Sequence, residues 1–519
     1  MRPSFNIAGP CIPGRHYMLP PERRLGRVLE LIDEHLLFTL HAGRQTGKTT
    51  SLRWLERHLN ATGHWCAVWL DLELAREQDD VARVMTVVLT HLDRMLSLRM
   101  PELPRPDRAE LDAMLAVPDS ALLVFLGRLA ALAPQPLVML FDEADGLVGR
   151  AMVSFLTQLR QGYIERADVP FPASVVLVGQ RQVRDYVLRE EDRAAVAWLG
   201  TTSPFNITAE ALTLAAFTEA EVGELLAQHT EATGQRFEPE AVARLHALGQ
   251  GHPWLTNALA EQIVRRDVPD RTVPITAAHV EAAKETIIVE RRSHIDSLVA
   301  RLREPRVRRI LDPMLAGDRV TGDVLDDDLA YVMGLGLVRR HQGQLEIANP
   351  IYREVLPRAL THGQQLQIAH PTTWYVREDG SLDVPKLMTG WQTFWRKDGH
   401  LAAEGFGYRE SGPHLMLMAF LQRVINGGGR VEREYGLGRG ALDLRIEWQG
   451  QQHAIEVKLR RDTETEADAL DQVTRYLDGL GLGEGWLVMF DLRKGPSWAE
   501  KLFVREVEHQ GKAVRIVGC

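Results

Sequence analysis

Cysteine is scarce in this chain, and its three cysteines stand far apart. They are Cys11, Cys66 and Cys519, and no two of them form a CxxC pair. Structural zinc sites and disulfide frameworks use closely spaced cysteines, so the sequence excludes a recognisable example of either. Such sparse cysteine usage is typical of a reducing compartment, and we expect a cytoplasmic protein.

Long hydrophobic runs and an excess of positive charge are lacking too. The longest apolar stretch, residues 121–133, is interrupted by Arg128 and is too short to cross a bilayer. The N-terminus carries no apolar signal-peptide segment, so we expect neither secretion nor a membrane partner. The net charge is −9, so binding of nucleic acid would require local basic patches.

The 519 residues are too many for one core and suggest roughly three to four domains. After an irregular, Pro- and Gly-rich lead-in at 1–25, strands and helices alternate over 26–205. Continuous apolar strands separated by helices predict a parallel sheet covered on both faces, an α/β fold. The predicted strands are 36–41, 66–73, 136–145 and 173–180.

The pattern changes after residue 205. Residues 206–275 predict a helical lid, with one helix that has a Thr N-cap, early acids and a terminal Gly. Residues 276–370 contain short helices and a hairpin turning at 342–343, which favours a winged helix. Residues 371–400 show little periodicity and predict a linker, and 401–519 form a second α/β unit.

The segment AGRQTGKTT, residues 42–50, fits the P-loop pattern [AG]-x-x-x-x-G-K-[ST]. A turn of small residues lets backbone N–H groups point at a β-phosphate, and the following helix adds its positive end. Lys48 would bridge the β- and γ-phosphates of ATP, and the Thr49 hydroxyl would bind Mg²⁺. The predicted ATP-binding residues of this loop are Gly43, Arg44, Gln45, Thr46, Gly47, Lys48, Thr49 and Thr50.

A matching acidic strand, VMLFDEAD, ends at Asp142 and Glu143. Asp142 would hold Mg²⁺ and contact ATP, and Glu143 would polarise the attacking water, although binding without hydrolysis is an alternative. Gln180, at the end of the fourth strand, is a candidate sensor of the γ-phosphate. The arginines after it are candidate arginine fingers or ordinary surface residues: Arg181, Arg184 and Arg189.

These motifs, with Gly-His-Pro at 251–253, resemble the prokaryotic AAA-like and STAND-type ATPases over about residues 1–370. In those families a small-residue–Pro motif of the lid touches the nucleotide. The resemblance therefore implies nucleotide contact for Pro253 and for His252, with an ordinary helix N-terminus as the alternative. A winged helix follows the lid in these families and often ends in a phrase like IANPIYREVL, here 347–356.

A second constellation lies in LDLRIEW and HAIEVKL, which predict a hairpin with a Gln-Gly turn. Glu456 and Lys458 are two residues apart on one strand and share a face, and strand pairing can bring Asp443 beside them. The carboxylates of Asp443 and Glu456 would hold Mg²⁺, with Mn²⁺ as a substitute. Lys458 would stabilise charge on a phosphate during phosphodiester cleavage.

This region, residues 401–519, resembles the PD-(D/E)xK nuclease superfamily. The resemblance implies an additional catalytic acid at Glu410 and a catalytic Gln472, which with Tyr476 forms the Q-x3-Y pattern of a helix. Glu432 and Glu434 compete with Glu410 for the role of the extra acid. A solvated hairpin and an inactive nuclease fold remain alternatives.

Basic residues occur in two places. Five arginines in 301–310, with Arg339 and Arg340, could neutralise phosphates or form a salt-bridged surface. A denser set surrounds the nuclease-like site and suits a polyanionic substrate. Its members are Arg430, Arg433, Arg439, Arg445, Arg460 and Arg461.

The sequence thus predicts an ATPase that regulates a Mg²⁺-dependent nuclease, with DNA as the favoured substrate. The family resemblance suggests a role in defence against mobile elements or in DNA repair. One alternative is a STAND-like switch that binds DNA or a protein partner through an inactive nuclease fold. A ring-forming motor is a third interpretation, and a homo-oligomer is compatible with each.

Overall fold

The structure is a computed structural model. It describes residues 2–179, 209–290, 300–316, 327–341, 343–367, 374–399, 411–425, 429–435, 442–460, 465–491, 493 and 496–519. Helices and strands are numbered within these residues. The chain divides into two compact units, Met1–Ile287 with Met333–Leu337, and Ile288–Val332 with Val338–Cys519.

The first unit contains a sheet and the helices around it. Its strands are β1 Leu37–His41, β2 Cys66–Asp71, β3 Leu137–Asp142, β4 Ser174–Gly179 and β5 Ala211–Thr213. The helices up to β4 are α1 Glu22–Asp33, α2 Lys48–Thr62, α3 Val81–Arg99, α4 Arg108–Leu115, α5 Pro118–Leu132 and α6 Gly149–Glu165. Four later helices are α7 Glu219–Thr233, α8 Pro239–Gly249, α9 Pro253–Gln262 and α10 Ala277–Val289.

The sheet of the first unit has the order β2-β3-β4-β1-β5, and every pair is parallel. Alternate residues of β1 to β4 enter two separate cores, because side chains alternate across a pleated sheet. One core packs against α3, α5 and α6, and the other against α1 and α2. The prediction of a parallel sheet covered on both faces is confirmed, as are its four strands.

The helical part that follows the sheet begins as the sequence indicates. Thr218 caps α7 and forms a reciprocal capping box with Glu221. Gly234 ends this helix with φ 82°, a conformation that costs glycine little. Pro239 and Pro253 occupy the first positions of α8 and α9. Proline suits this position because a backbone N–H there would have no partner within the helix.

The second unit is described by a longer set of elements. Its helices are α11 Pro305–Ala316, α12 Asp327–Gly334, α13 Pro350–Gln367, α14 Val384–Phe394, α15 Gly412–Ile425, α16 Thr465–Leu480 and α17 Trp498–Lys501, with the end of α12 counted in the first unit. Its hairpin strands are β6 Val338–His341 and β7 Gln344–Ile347. The sheet strands are β8 Gly429–Tyr435, β9 Leu442–Trp448, β10 Gln451–Arg460, β11 Glu484–Asp491, β12 Val504–His509 and β13 Lys512–Gly518.

The sheet of the second unit has the order β12-β13-β11-β10-β9-β8. Strands β9 and β10 are antiparallel and are joined by Gln449 and Gly450, whose φ angles are 47° and 81°. Positive φ at both positions is the requirement of a tight two-residue hairpin, so the predicted Gln-Gly turn is confirmed. Strand β11 pairs with β10 in parallel.

Part of the segment interpreted as a linker, residues 371–400, is helical. Within it, α14 buries Val384, Leu387, Met388 and Trp391 on one face. The Trp391 indole N–H donates to Cys519 Sγ at 3.2 Å, and its ring contacts Phe490 on β11. The described part of the segment therefore belongs to the core of the second unit, because its apolar residues recur at helical spacing.

The hairpin β6–β7 is connected by residues 342–343 as predicted, although Gln342 lies outside the described residues. Asn349 then caps α13 by accepting the Tyr352 N–H at 2.9 Å, and Pro350 begins the helix. None of the helices within the described residues is both long and apolar enough to cross a membrane.

Candidate functional site

The P-loop connects β1 to α2. Gly47 has φ 91° and Gln45 has φ 59°, so the loop makes a tight turn before Lys48 begins the helix. A glycine suits position 47, because L-residues rarely adopt this conformation. The loop thus presents backbone groups at the N-terminus of α2, the geometry that binds phosphate.

Lys48 is 6% exposed and is held by the loop itself. Its Nζ donates to the carbonyl oxygens of Ala42 at 2.8 Å and Gly43 at 3.0 Å. Burial lowers the pKa of Lys48, and the nearby carboxylates of Glu143 and Asp142 oppose this shift. The ammonium therefore lies inside the loop, beside two acids.

Thr49 and Asp142 form a direct contact between α2 and the end of β3. The Thr49 hydroxyl donates to Asp142 Oδ2 at 2.7 Å, and Asp142 is fully buried. Burial raises the pKa of Asp142, and the Thr49 hydrogen bond is the largest opposing effect. A hydroxyl and a carboxylate at this distance are hard oxygen ligands, and they fit a Mg²⁺ ion.

Glu143 follows in the left-handed conformation, with φ 53°, and its N–H donates to Asp142 Oδ1 at 3.0 Å. Burial raises the pKa of its carboxyl group. Its Oε2 lies 3.0 Å from a guanidinium nitrogen of Arg76. Sequence analysis missed Arg76, because it belongs to no motif and only the pairing of β2 with β3 brings it here.

Residues at the start of α9 approach the P-loop. Desolvation lowers the pKa of His252 to about 4. A hydrogen bond with the backbone of Arg44 opposes this shift. His252 Nδ1 also accepts from the Leu255 N–H at 3.4 Å, as an N-cap does. The neutral imidazole thus contacts the P-loop and caps the helix, as an ordinary helix N-terminus does, and nucleotide contact by His252 stays a prediction.

A cavity opens beside the P-loop and contains Pro253 in its wall. Its apolar wall is formed by Tyr17, Leu19, Pro21, Phe217, Leu225 and Pro253. Gly47, Thr50 and Ser51 line it on the side of the P-loop helix. A largely apolar cavity next to a phosphate-binding loop suits the base of a nucleotide.

The N-terminal segment, expected to be an irregular lead-in, forms part of this cavity. The Cys11 N–H donates to Thr50 Oγ1 at 3.0 Å. The Gln228 side chain accepts from the Met18 N–H at 3.0 Å and donates to its carbonyl at 2.8 Å. The segment thereby connects the P-loop helix with α7, although its sequence, rich in Pro and Gly, indicates neither partner.

Arg24 lies at the same place and reaches in two directions. Its guanidinium donates to the Ala215 carbonyl and, at 3.4 Å, to the Thr46 carbonyl. It also stacks over the Phe217 ring at 5.0 Å. Burial lowers the pKa of Arg24 to about 10, so the group stays positively charged beside the P-loop at neutral pH.

In the second unit, Glu456 and Lys458 share a face of β10 as predicted. Glu456 is 1% exposed, and its Oε1 lies 3.3 Å from Lys458 Nζ. Apart from this ion pair, Oε1 has no hydrogen-bond donor among the described residues. Burial raises the pKa of Glu456 to about 7, and Lys458 opposes the shift.

The backbone register places Asp443 beside Glu456. Leu444 pairs with Ile455, so Asp443 and Glu456 occupy the next positions along β9 and β10. Glu434 on β8 pairs with Asp443, which favours Glu434 over Glu432 as the extra acid. The side chains of these three β8 and β9 acids, and all of Glu410, lie outside what the structure describes.

Helix α16 covers this face of β10. Arg475 is close enough to lower the pKa of Glu456, and Gln472 lies one turn before it on the same helix. The Gln472 Oε1 is buried without a partner among the described residues. Glu456 Oε1, whose described partner is Lys458, and the buried Gln472 Oε1 are oxygens that fit a cation, although the described side chains include no group of three metal ligands.

The described arginines of α11 and β6 have acidic partners. Arg306 and Arg309 lie 2.6 and 2.7 Å from the carboxylate of Asp328, and Arg339 lies 2.6 Å from Glu346. These contacts favour the salt-bridged surface over phosphate binding. Gln180 and the arginine-finger candidates lie outside the described residues: Arg181, Arg184 and Arg189.

A parallel sheet with a P-loop after β1 and a buried acid after β3 defines the P-loop ATPase class. Comparison with known families agrees, since the AAA-like domain family matches residues 26–357. The chain belongs to this family. A domain of unknown function, DUF8371, matches residues 386–494.

Among solved structures, a Walker-type ATPase of Pyrococcus abyssi is 15% identical with a TM-score of 0.47, over 68% of this chain and 99% of that one. The RuvB Holliday junction branch migration motor of Thermotoga maritima is 14% identical, with a TM-score of 0.33. The match covers 64% of this chain and 93% of the RuvB chain. Cdc6p of Pyrobaculum aerophilum is 12% identical, with a TM-score of 0.37, over 68% and 96%. No curated protein matches the chain.

Proposed function

We propose that the first unit binds ATP with Mg²⁺ and hydrolyses it. The observation that carries this proposal is the 2.7 Å contact between Thr49 Oγ1 and the fully buried Asp142. It joins the P-loop helix to the acidic strand and offers two Mg²⁺ ligands. The ion would neutralise charge on the β- and γ-phosphates.

The other residues have separate tasks in this proposal. Lys48 would leave the carbonyls of Ala42 and Gly43 to contact the phosphates, while the loop N–H groups bind the β-phosphate. Glu143 would orient the attacking water. The base would enter the cavity between the N-terminal segment and Pro253.

Hydrolysis is tested by phosphate release from the purified full chain, together with binding of a fluorescent ATP analogue. We expect Lys48→Ala to lose binding and hydrolysis. Glu143→Gln should retain binding and lose hydrolysis by about 10²–10⁴-fold, the usual contribution of a general base. Glu165→Gln, at an exposed glutamate on α6, is the matched control. Unchanged hydrolysis in Glu143→Gln would refute the role of this residue.

For the second unit we propose phosphodiester cleavage that depends on Mg²⁺ or Mn²⁺. It is supported by the buried Glu456 oxygen beside Lys458 and by the adjacent register position of Asp443. Glu456 and Asp443 would hold the metal, Gln472 would add a further oxygen, and Lys458 would stabilise charge on the phosphate. Glu434 is the favoured additional acid.

Cleavage is tested with plasmid and linear single-stranded DNA, with either metal, with and without ATP. Loss of cleavage in Lys458→Ala but not in the exposed-lysine control Lys386→Ala would support the nuclease. A Lys48→Ala comparison shows whether ATP binding controls cleavage. If the wild type hydrolyses ATP and cuts neither DNA under any of these conditions, the alternative is favoured, a switch that binds DNA or a protein partner.

A further inference from the structure

One aromatic side chain of the N-terminal segment both lines the base cavity and bonds to α7. Tyr17 lies in the wall of the cavity, and its ring packs on Phe5 at a centroid distance of 4.8 Å. Its hydroxyl lies 3.2 Å from Nδ1 of His229 on α7. Tyr17 is 3% exposed, and a buried hydroxyl that lacks a partner is costly. The orientation of the ring in the cavity wall therefore depends on His229.

Gln235 determines which nitrogen of His229 carries the proton. Its side chain is fully buried, and its Nε2 donates to three backbone carbonyl oxygens in residues 268–273, at 3.0, 3.1 and 3.1 Å. These acceptors orient the amide, so that its Oε1 faces His229 Nε2 at 3.1 Å. Because this oxygen can only accept, Nε2 carries the proton, and Nδ1 is left to accept from the Tyr17 hydroxyl.

Burial and a nearby arginine keep this imidazole neutral. Burial lowers the pKa of His229, and the positive charge of Arg271 acts in the same direction. Arg271 Nη1 donates to Gln235 Oε1 at 2.6 Å and lies 3.3 Å from His229 Nε2. A protonated ring has no nitrogen lone pair to offer, so the neutral form is the one that accepts from Tyr17.

Two successive residues of α7 hold two successive residues of the N-terminal segment. The Gln228 side chain bonds to both backbone groups of Met18, and His229 bonds to the side chain of Tyr17. Backbone hydrogen bonds also close residues 4–17 on themselves. Gln228 therefore fixes the main chain at this point, whereas His229 fixes the direction of the Tyr17 ring.

We infer that His229 is a positioning residue, which through Tyr17 holds the part of the cavity wall against which the base of ATP packs. The inference rests on the proposed binding of ATP by the first unit. The bonds of Lys48 and Thr49 in the P-loop do not involve His229 or Tyr17. Loss of the bond between Tyr17 and His229 therefore weakens the binding of a nucleotide, but not the binding of a phosphate chain without a base.

The test compares ATP with inorganic tripolyphosphate, which has three phosphates and no base, by titration calorimetry of the full chain with Mg²⁺. Tyr17→Phe keeps the ring and removes the hydroxyl. We expect Kd for ATP to rise about fivefold, the scale of one hydrogen bond. His229→Leu removes the acceptor and should raise Kd for ATP at least as much. Neither variant should change Kd for tripolyphosphate, and the double variant should lose no more affinity for ATP than His229→Leu, because both substitutions remove the same bond.

Tyr163→Phe is the matched control, because it removes a hydroxyl that bonds to the His35 carbonyl at 3.3 Å, and it should change neither Kd. Equal losses for ATP and tripolyphosphate in Tyr17→Phe would show a general loss of structure and overturn the inference. An unchanged Kd for ATP in Tyr17→Phe, or additive losses in the double variant, would overturn it too. If His229→Leu does not fold, Tyr17→Phe alone decides.

The wild type separates this inference from the function on which it rests. A wild type that binds tripolyphosphate as tightly as ATP overturns the inference but leaves phosphate binding by the P-loop intact. A wild type that binds neither compound overturns the proposed ATP binding and the inference together.

Discussion

The two units each bury a carboxylate on a central strand, but they satisfy it differently. Asp142 accepts from the Thr49 hydroxyl and from the Glu143 N–H, so both of its oxygens have donors. Glu456 has an ion pair with Lys458, and its Oε1 has no other donor within the described part of the chain. Burial raises the pKa of both acids, and for Glu456 it reaches about 7.

This difference separates a preorganised site from one that needs its ligand. Donors around Asp142 offset part of the cost of burying an ionised carboxylate. Around Glu456 that cost is only partly offset, so a cation or a proton would stabilise the folded unit. We therefore expect the ATP site to depend on geometry and the second site to depend on pH and metal.

The largest effect expected from this difference concerns the contact between Thr49 and Asp142. Thr49→Val keeps the side-chain shape and removes the hydroxyl that contacts Asp142. We expect Mg²⁺-dependent ATP hydrolysis to fall by about 10²–10³-fold, the scale for losing one preorganised polar group. The measurement is steady-state phosphate release over a range of Mg²⁺ concentrations.

The matched control is the neighbouring Thr50→Val. The Thr50 hydroxyl accepts from the Cys11 N–H, and no hydrogen bond between it and Asp142 is found among the described residues. Removing this hydroxyl should therefore reduce hydrolysis by less than about tenfold. Equal losses in the two variants would argue against a special role of the Thr49 hydroxyl.

The P-loop and the acidic strand could be predicted from the sequence because each of them is local. A P-loop is one continuous segment, and an apolar strand followed by two acids is another. Parallel pairing then brings their ends to the same edge of the sheet. The hairpin of the second unit was predictable for the same reason, since a Gln-Gly turn between alternating strands fixes which residues face each other.

Other parts depend on contacts between distant residues and could not be predicted. Arg76 reaches Glu143 only because β2 and β3 are neighbours. The N-terminal segment forms a cavity wall through bonds to Thr50 and Gln228, and no local pattern of its own indicates these partners. Helix α14 was missed because the aromatic residues of the segment 371–400 obscured a helical spacing that the fold buries.

A second prediction concerns the stability of the unit that contains Glu456. Its pKa of about 7 exceeds the value of 4.5 for an unperturbed glutamate, so the folded state binds the proton more tightly than the unfolded state. The protonated Glu456 carboxyl group contributes fully to the free energy of unfolding below pH 4.5. This contribution is lost as the pH rises through 7. The loss is at most about 3.5 kcal/mol, because one pKa unit corresponds to about 1.4 kcal/mol.

The measurement is the free energy of unfolding of the full chain in urea between pH 5 and pH 8. Glu456→Gln should remove this component of the pH dependence, and Mn²⁺ at pH 8 should stabilise the wild type but not the variant. If the free energy of unfolding depends on pH in the same way in the wild type and the variant, burial of Glu456 does not set this pH dependence.

A third prediction tests the base cavity. Arg24→Met keeps much of the side-chain length but loses the bonds to the Thr46 and Ala215 carbonyls and the cation over Phe217. We expect KM for ATP to rise about tenfold, the loss of a charge-assisted contact, while kcat stays close to wild type. Arg23→Met, which removes an exposed pair with Glu224, is the control and should leave both constants unchanged.

The smallest expected effect is a change in the rate at which a thiol beside the same cavity is modified. Cys11 lines it, whereas Cys66 and Cys519 are 3% and 1% exposed. Burial raises the pKa of all three, to about 11 for Cys66 and about 12 for Cys519. Because the thiolate is the reactive form, iodoacetamide at pH 8.5 should modify Cys11 first.

Bound ATP should slow the modification of Cys11 in proportion to the occupancy of the site, while the slower reaction of Cys66 should follow only global stability. Peptide mass spectrometry over time separates the three thiols. If ATP binds but leaves the rate at Cys11 unchanged, the base does not contact the N-terminal segment. The ATP site would then be complete without this segment, and the contacts of Cys11 and Met18 would serve only to join the P-loop helix to α7.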